Sequence, residues 1–153
     1  MKPGSVISGV CVLSGDVAIH KYENGLIRDA EHNLKLVLQA FSDNKAERLR
    51  SVLSDNCTYI SEASKKTFTG ADEIIDRLEY VFSNKRDKHF PHAATITEAD
   101  GEGMKYAAGT SCIALAYKTP DSYESIVFVD TDEDGYITKI LITTDSRYKF
   151  NID

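Results

Sequence analysis

The rhythm of apolar and polar positions changes several times along the chain. Residues 5–27 read as extended: Ser5 to Leu13 and Val17 to Tyr22 are rich in Val and Ile. Ser14-Gly15-Asp16 between them is a turn signal, which fits a small hairpin. Glu23-Asn24-Gly25 marks a second turn. From Ile27 the period lengthens. Ile27, Ala30, Leu34, Val37, Leu38 and Phe41 share one helical stripe, while Asp29, Glu31, Lys35 and Gln39 lie away from it. This predicts a first helix of about four turns. Ser42-Asp43-Asn44 breaks it and can cap the next. Ala46, Leu49, Val52 and Leu53 give a short second helix its apolar face, and Ser54-Asp55-Asn56 stops it.

Cys57-Thr58-Tyr59-Ile60 has the composition of a short strand. Thr69-Gly70-Ala71-Asp72 is a capping-box pattern with Asp72 at the third helical position. Behind it, Ile74, Ile75, Leu78, Val81 and Phe82 form the stripe of a third helix, which ends in the charged loop from Asn84 to Asp87. The remainder reads as sheet, with strands near 92–98, 104–117, 123–131 and 136–148. Turns fall at Asp100-Gly101-Glu102-Gly103, at Thr119-Pro120-Asp121-Ser122 and from Asp132 to Gly135. Helices first and antiparallel strands after is an α+β layout, three helices packed on one curved, mostly antiparallel sheet. The expected boundaries are an extended segment over 1–27 and one domain over 28–153.

Composition narrows the functional classes. A chain of 153 residues supports one domain and buries enough surface to need no disulfide or metal staple. Eighteen Lys and Arg against 24 Asp and Glu give a net charge of −6, and the longest basic run is Lys65-Lys66. That argues against nucleic acid or an anionic membrane as a partner, because phosphate contacts need clustered cations. Cys11, Cys57 and Cys112 are odd in number and widely spaced, as buried thiols of a reducing compartment would be. The apolar stretch from Val6 to Leu13 is broken by Ser8 and Gly9, and Asp16 and His20 follow too soon for a secretory signal. No run of 18 apolar residues exists, so the expected location is cytoplasmic.

Three passages resemble the nuclear transport factor 2-like superfamily, which includes SnoaL-like cyclases and ketosteroid isomerases. Leu53-Ser54-Asp55-Asn56-Cys57-Thr58-Tyr59 is similar to that family's entry into its first strand. Phe68-Thr69-Gly70-Ala71-Asp72-Glu73-Ile74 is similar to its entry into the third helix, and Ile126 to Ile142, with Asp134-Gly135 at the tip, to its closing hairpin. The resemblance covers roughly 28–150. It implies a cystatin-like fold with a cone-shaped cavity, and it leaves the function open, since the fold hosts isomerases, dehydratases, cyclases and non-catalytic domains. The ketosteroid isomerase residues are not kept: their positions fall at Val37, at Ser61 with Glu62 next to it, and near Val127. Of the histidine pair of scytalone dehydratase, His92 matches one. The other has no counterpart in residues 106–112.

Other constellations have plainer readings. Asp130, Asp132, Asp134 and Gly135 imitate a calcium loop, but its twelfth position is Leu141, which offers no oxygen, and the flanks are strand-like. A hairpin turn is the expectation. His89 and His92 are two candidate ligands without a third, so no metal site is read there. No phosphate loop, no Gly-x-Ser-x-Gly and no cofactor motif is present.

The site candidates follow from the resemblance and from chemistry together. His92 is the expected acid or base, since imidazole exchanges protons near neutrality, and Tyr59 its hydrogen-bonding partner. Leu38, Phe68, Phe82, Tyr106, Tyr117 and Phe128 would line an apolar pocket, with Asp145 at its mouth beside Arg147. Two functions remain open: a small-ligand-binding protein of the SnoaL-like kind, as a lyase or isomerase taking an apolar or aromatic molecule, or a non-catalytic association domain. The runs Ile126-Val127-Phe128-Val129 and Ile140-Leu141-Ile142 are apolar on both faces, which predicts a homodimer through the sheet.

Overall fold

The structure, a computed structural model, describes residues 22–23, 26–27, 29–84 and 88–153. The hairpin expected over 5–22 lies outside them. Two short strands, β1 (Tyr22–Glu23) and β2 (Leu26–Ile27), pair antiparallel on either side of the turn expected at 23–25. Ile27 therefore belongs to a strand, not to the first helix. Helix α1 (Ala30–Asp43) starts one turn later, because the Asp29 carboxylate accepts from the His32 amide at 2.9 Å and fixes the N-terminus there. Asn44, at φ 57°, ends it in the left-handed conformation that asparagine tolerates.

The expected second helix is a 3-10 turn, Glu47–Val52, and not an α-helix. It has only six residues between buried Ala46 and the next strand. Leu53, assigned above to that helix, opens β3 (Leu53–Ser61), and Ser54-Asp55-Asn56 runs on as strand across an irregularity in register between Leu53 and Thr58. A short strand that the sequence pattern does not announce, β4 (Lys66–Thr69), pairs back on β3. Helix α2 (Ala71–Phe82) then buries Ile74, Ile75 and Leu78 as its spacing predicts. Thr69 does not cap it. The N-cap is Gly70, at φ 89° and ψ 155°, and the Thr69 amide donates to the Glu73 carboxylate. Thr69 is held as the last residue of β4, opposite Thr58, so the chain turns one residue later. Of the three helices expected before the sheet, two are α-helices, and the last of them follows the sheet strands β3 and β4.

Four strands form the meander read from the sequence: β5 (His89–Ala99), β6 (Ser111–Tyr117), β7 (Tyr123–Thr131) and β8 (Ile137–Thr143). The β7–β8 hairpin turns where expected. The Asp132 carboxylate accepts from the amides of Asp134 and Tyr136, both at 2.9 Å, and Gly135 takes φ 89°. Two expected strands are shorter. Residues 104–110 are loop, bracketed by Gly103 at φ 80° and Gly109 at φ 94°. The last expected strand breaks after Thr143, where Asp145 accepts from Arg147, and a separate β9 (Tyr148–Ile152) crosses to pair with β5. The sheet order is β4-β3-β8-β7-β6-β5-β9, antiparallel except for the β3–β8 pair.

Each face of this sheet carries its own apolar core. Tyr59, Ile113, Leu115, Val127, Ile140 and Ile142 pack under α1, the 3-10 turn and α2. Ala94, Ile96, Cys112, Ala114, Ile126, Phe128 and Leu141 form a second core on the opposite face. The chain covers this second face itself. Tyr106, from the 104–110 loop, stacks on Phe128 with ring centroids 4.0 Å apart, and Tyr148 of β9 lies 5.0 Å from the same ring. The uncovered apolar face inferred from the sequence is thus closed from within.

Candidate functional site

Strand parity sorts the expected site residues, since neighbours along a strand point to opposite faces. Tyr59 belongs to the helix-side core, and Leu38, Phe68, Phe82 and Tyr117 pack against it half-buried. His92 pairs with Ala114 and shares the face of Ala94 and Ile96, so it stands on the other side. Tyr106 and Phe128 are on that side as well. The structure therefore does not bring His92 and Tyr59 together. His92 is exposed, and its Nδ1 lies 3.3 Å from the Tyr123 hydroxyl. The Asp145 carboxylate is held by Arg147, at 2.8 Å from Nη2 and 3.1 Å from Nε, and that guanidinium keeps it below the usual carboxylate range.

On the helix side a different polar group assembles inside the apolar wall. Tyr59 is 2% exposed, and its ring meets Phe68 edge-on at 5.9 Å, where β3 and β4 pair. Burial pushes its phenol up to about 12, while the Arg77 guanidinium beside it pulls the other way and the nearby Tyr117 adds slightly to the rise. Tyr117, at the end of β6, receives a hydrogen bond from the buried Ser125 hydroxyl of β7 at 3.5 Å. His89 opens β5 opposite Tyr117, 5.0 Å from its ring, and leans edge-on against Phe41 and Phe82 at 6.4 Å each. Arg77 comes from α2. Its guanidinium carbon lies 5.3 Å from the ring centroids of both Phe68 and Tyr80, and its Nε is shielded from solvent without a hydrogen-bond partner.

Arg77 and Ser125 are not among the candidates read from the sequence, and His89 is weighed there only as a metal ligand. Parity alone would have told His89 from His92, since residues three apart on a strand face opposite ways. No local signal marks Arg77 or Ser125, because their roles depend on which strand lies beside which.

The opposite face carries an open cleft of about 350 Å³ between β7, the end of β8 and β9. Tyr123, Tyr148 and Phe150 give it aromatic walls, and Thr143, Thr144 and Ser146 supply hydroxyls. Asp145 lines it too, already paired. Among the described residues no group of three or more His, Cys, Asp or Glu could hold a metal ion. In the turn at 130–135, Asp132 is engaged by backbone amides, and Asp130 by Tyr106 at 3.0 Å and Lys139 at 3.5 Å.

Searches for similar proteins agree with this architecture. A nuclear transport factor 2-like protein of unknown function from Mesorhizobium loti superposes with a TM-score of 0.54 at 11% identity, over 78% of this chain and 90% of that one. A second such protein, from Cytophaga hutchinsonii, gives 0.52 at 12% identity over 80% and 95%. The fold is the nuclear transport factor 2-like, cystatin-like one. A steroid delta-isomerase from Pseudomonas aeruginosa shares this nuclear transport factor 2-like fold with a TM-score of 0.50 at 15% identity, over 74% of this chain and 77% of that one. No family model and no curated protein sequence matches the chain.

Proposed function

We propose that the protein binds a small, largely apolar molecule on the helix side of its sheet and polarises an oxygen of that molecule, as a lyase or isomerase of the SnoaL-like kind. The observation that carries this is the contact of two hydroxyls, Tyr117 from β6 and Ser125 from β7, in an otherwise apolar helix-side wall that also buries Tyr59 from β3. Tyr59 keeps its proton up to about pH 12, so at neutral pH it is a hydrogen-bond donor. In a dry site such a donor stabilises charge developing on a carbonyl oxygen far more than water would. His89, against the Tyr117 ring, is the candidate to move a proton. A steroid delta-isomerase on the same fold makes such chemistry compatible with the scaffold.

2-Tetralone, a flat apolar ketone, separates the two functional readings. Binding should raise the melting temperature. Deuterium exchange beside its carbonyl, followed by proton NMR in heavy water, should run faster than in buffer. Tyr59→Phe should slow that exchange by roughly tenfold to a thousandfold, the range for losing one such donor. Binding without accelerated exchange would favour a non-catalytic domain. No binding by any apolar ketone would remove the ligand reading.

A further inference from the structure

We propose that Arg77 is an anion-recognition point of the helix-side site, so that the molecule bound there carries a carboxylate on a flat apolar body. This rests on the reading that the helix side is where the ligand sits. Four arginines lie among the described residues, and three are paired: Arg48 with Asp43, Arg50 with Glu47 and Asp72, Arg147 with Asp145. Arg77 has no carboxylate partner among the described residues, although its own helix carries Asp72, Glu73, Asp76 and Glu79. Three of those acids are occupied elsewhere, Asp72 by Arg50, Glu73 by the Thr69 amide and Glu79 by the Ala46 amide, and Asp76 is exposed to solvent.

A shielded guanidinium N–H without an acceptor is unfavourable, by about 1–3 kcal/mol for a buried donor and more for a charged one. Phe68 and Tyr80 compensate in part, because an aromatic face attracts a guanidinium, but they accept no directed hydrogen bond. A planar fork is matched by the two oxygens of a carboxylate, and an ammonium would not match it as well.

The test uses two compounds of one shape, 2-naphthoate and 2-naphthamide, titrated calorimetrically into the full chain. Wild type should bind the carboxylate about 10–100-fold more tightly, the equivalent of one charge-assisted pair. Arg77→Met keeps an apolar stem near the two rings and removes the charge, and should abolish the preference. Arg77→Lys should keep part of it. Should the Met variant fail to fold, the Lys variant and the wild-type pair of titrations still decide. Equal binding of acid and amide, or a preference surviving in Arg77→Met, overturns the assignment and leaves the ligand reading intact. If neither compound binds the wild type, both fall together.

Discussion

At the scale of single residues, burial has chemical consequences that can be titrated. The Cys57 and Cys112 thiols, both fully buried, are pushed by desolvation from 9.0 up to about 12, and the Tyr59 phenol from 10.0 to about 12. In each case the folded state holds the proton more tightly than the unfolded chain. Their contribution to stability is therefore complete below about pH 9 and is lost as pH rises toward 12. Urea unfolding at a series of alkaline pH values should show stability falling across that window. Cys57→Ala should flatten the fall by removing one of the three groups. An unchanged slope in that variant would mean that the Cys57 thiol is not held in its protonated form by the fold.

Between elements, the decisive positions are the junctions. Asn33 shows how a polar residue can belong to a core: it is fully buried on α1, and its amide donates to the Gly135 carbonyl at 2.8 Å and to the Thr131 hydroxyl at 3.1 Å. That ties the start of α1 to the β7–β8 turn. Gly70 joins β4 to α2 at a φ and ψ that only glycine adopts readily. A Cβ there would meet nothing closer than the Asp55 carbonyl at 3.9 Å, so the penalty for a side chain is conformational and not steric crowding. Gly70→Ala should cost about 1–3 kcal/mol in denaturant titrations. A loss below about 0.5 kcal/mol, the scale of an ordinary surface change, would show that the junction relaxes freely.

For the molecule as a whole, the second face of the sheet is the telling feature. Ile126, Phe128 and Leu141 are buried by the chain's own loop and last strand. Tyr106 holds that cover: its ring stacks on Phe128, its hydroxyl donates to Asp130, and Lys139 sits 5.7 Å over its ring. Tyr106→Ala should lose roughly 2–4 kcal/mol, as large aromatic truncations do, and should raise the fluorescence of a hydrophobic dye. The homodimer proposed from the apolar runs has to seat outside this cover and not on bare Phe128. Light scattering at micromolar concentration reads it directly, and a mass of one 17.0 kDa chain would exclude it. Among the described residues no helix is long and apolar enough to cross a membrane.

Local pattern was enough for much of this architecture. The period of 3.6 in Leu34, Val37 and Phe41, and in Ile74, Ile75 and Leu78, places two helices because one stripe must be buried. Asp134-Gly135 between two apolar runs places the β7–β8 turn because φ there must be positive. The α+β class and the nuclear transport factor 2-like fold were legible in the order of such segments. Pairing was not. That β3 lies beside β8, and β9 beside β5, depends on contacts between residues far apart in the chain, which no window of sequence contains. The same holds for the site. His92 and Tyr59 are both chemically apt, but the sheet sends them to opposite faces. Arg77, Tyr117 and Ser125 carry no motif; only the packing of α2 against β3 brings Arg77 near Tyr59, and only the neighbouring of β6 and β7 brings Ser125 to Tyr117. Chemistry is written in the identity of side chains, but the distance between two of them is a property of the folded chain alone.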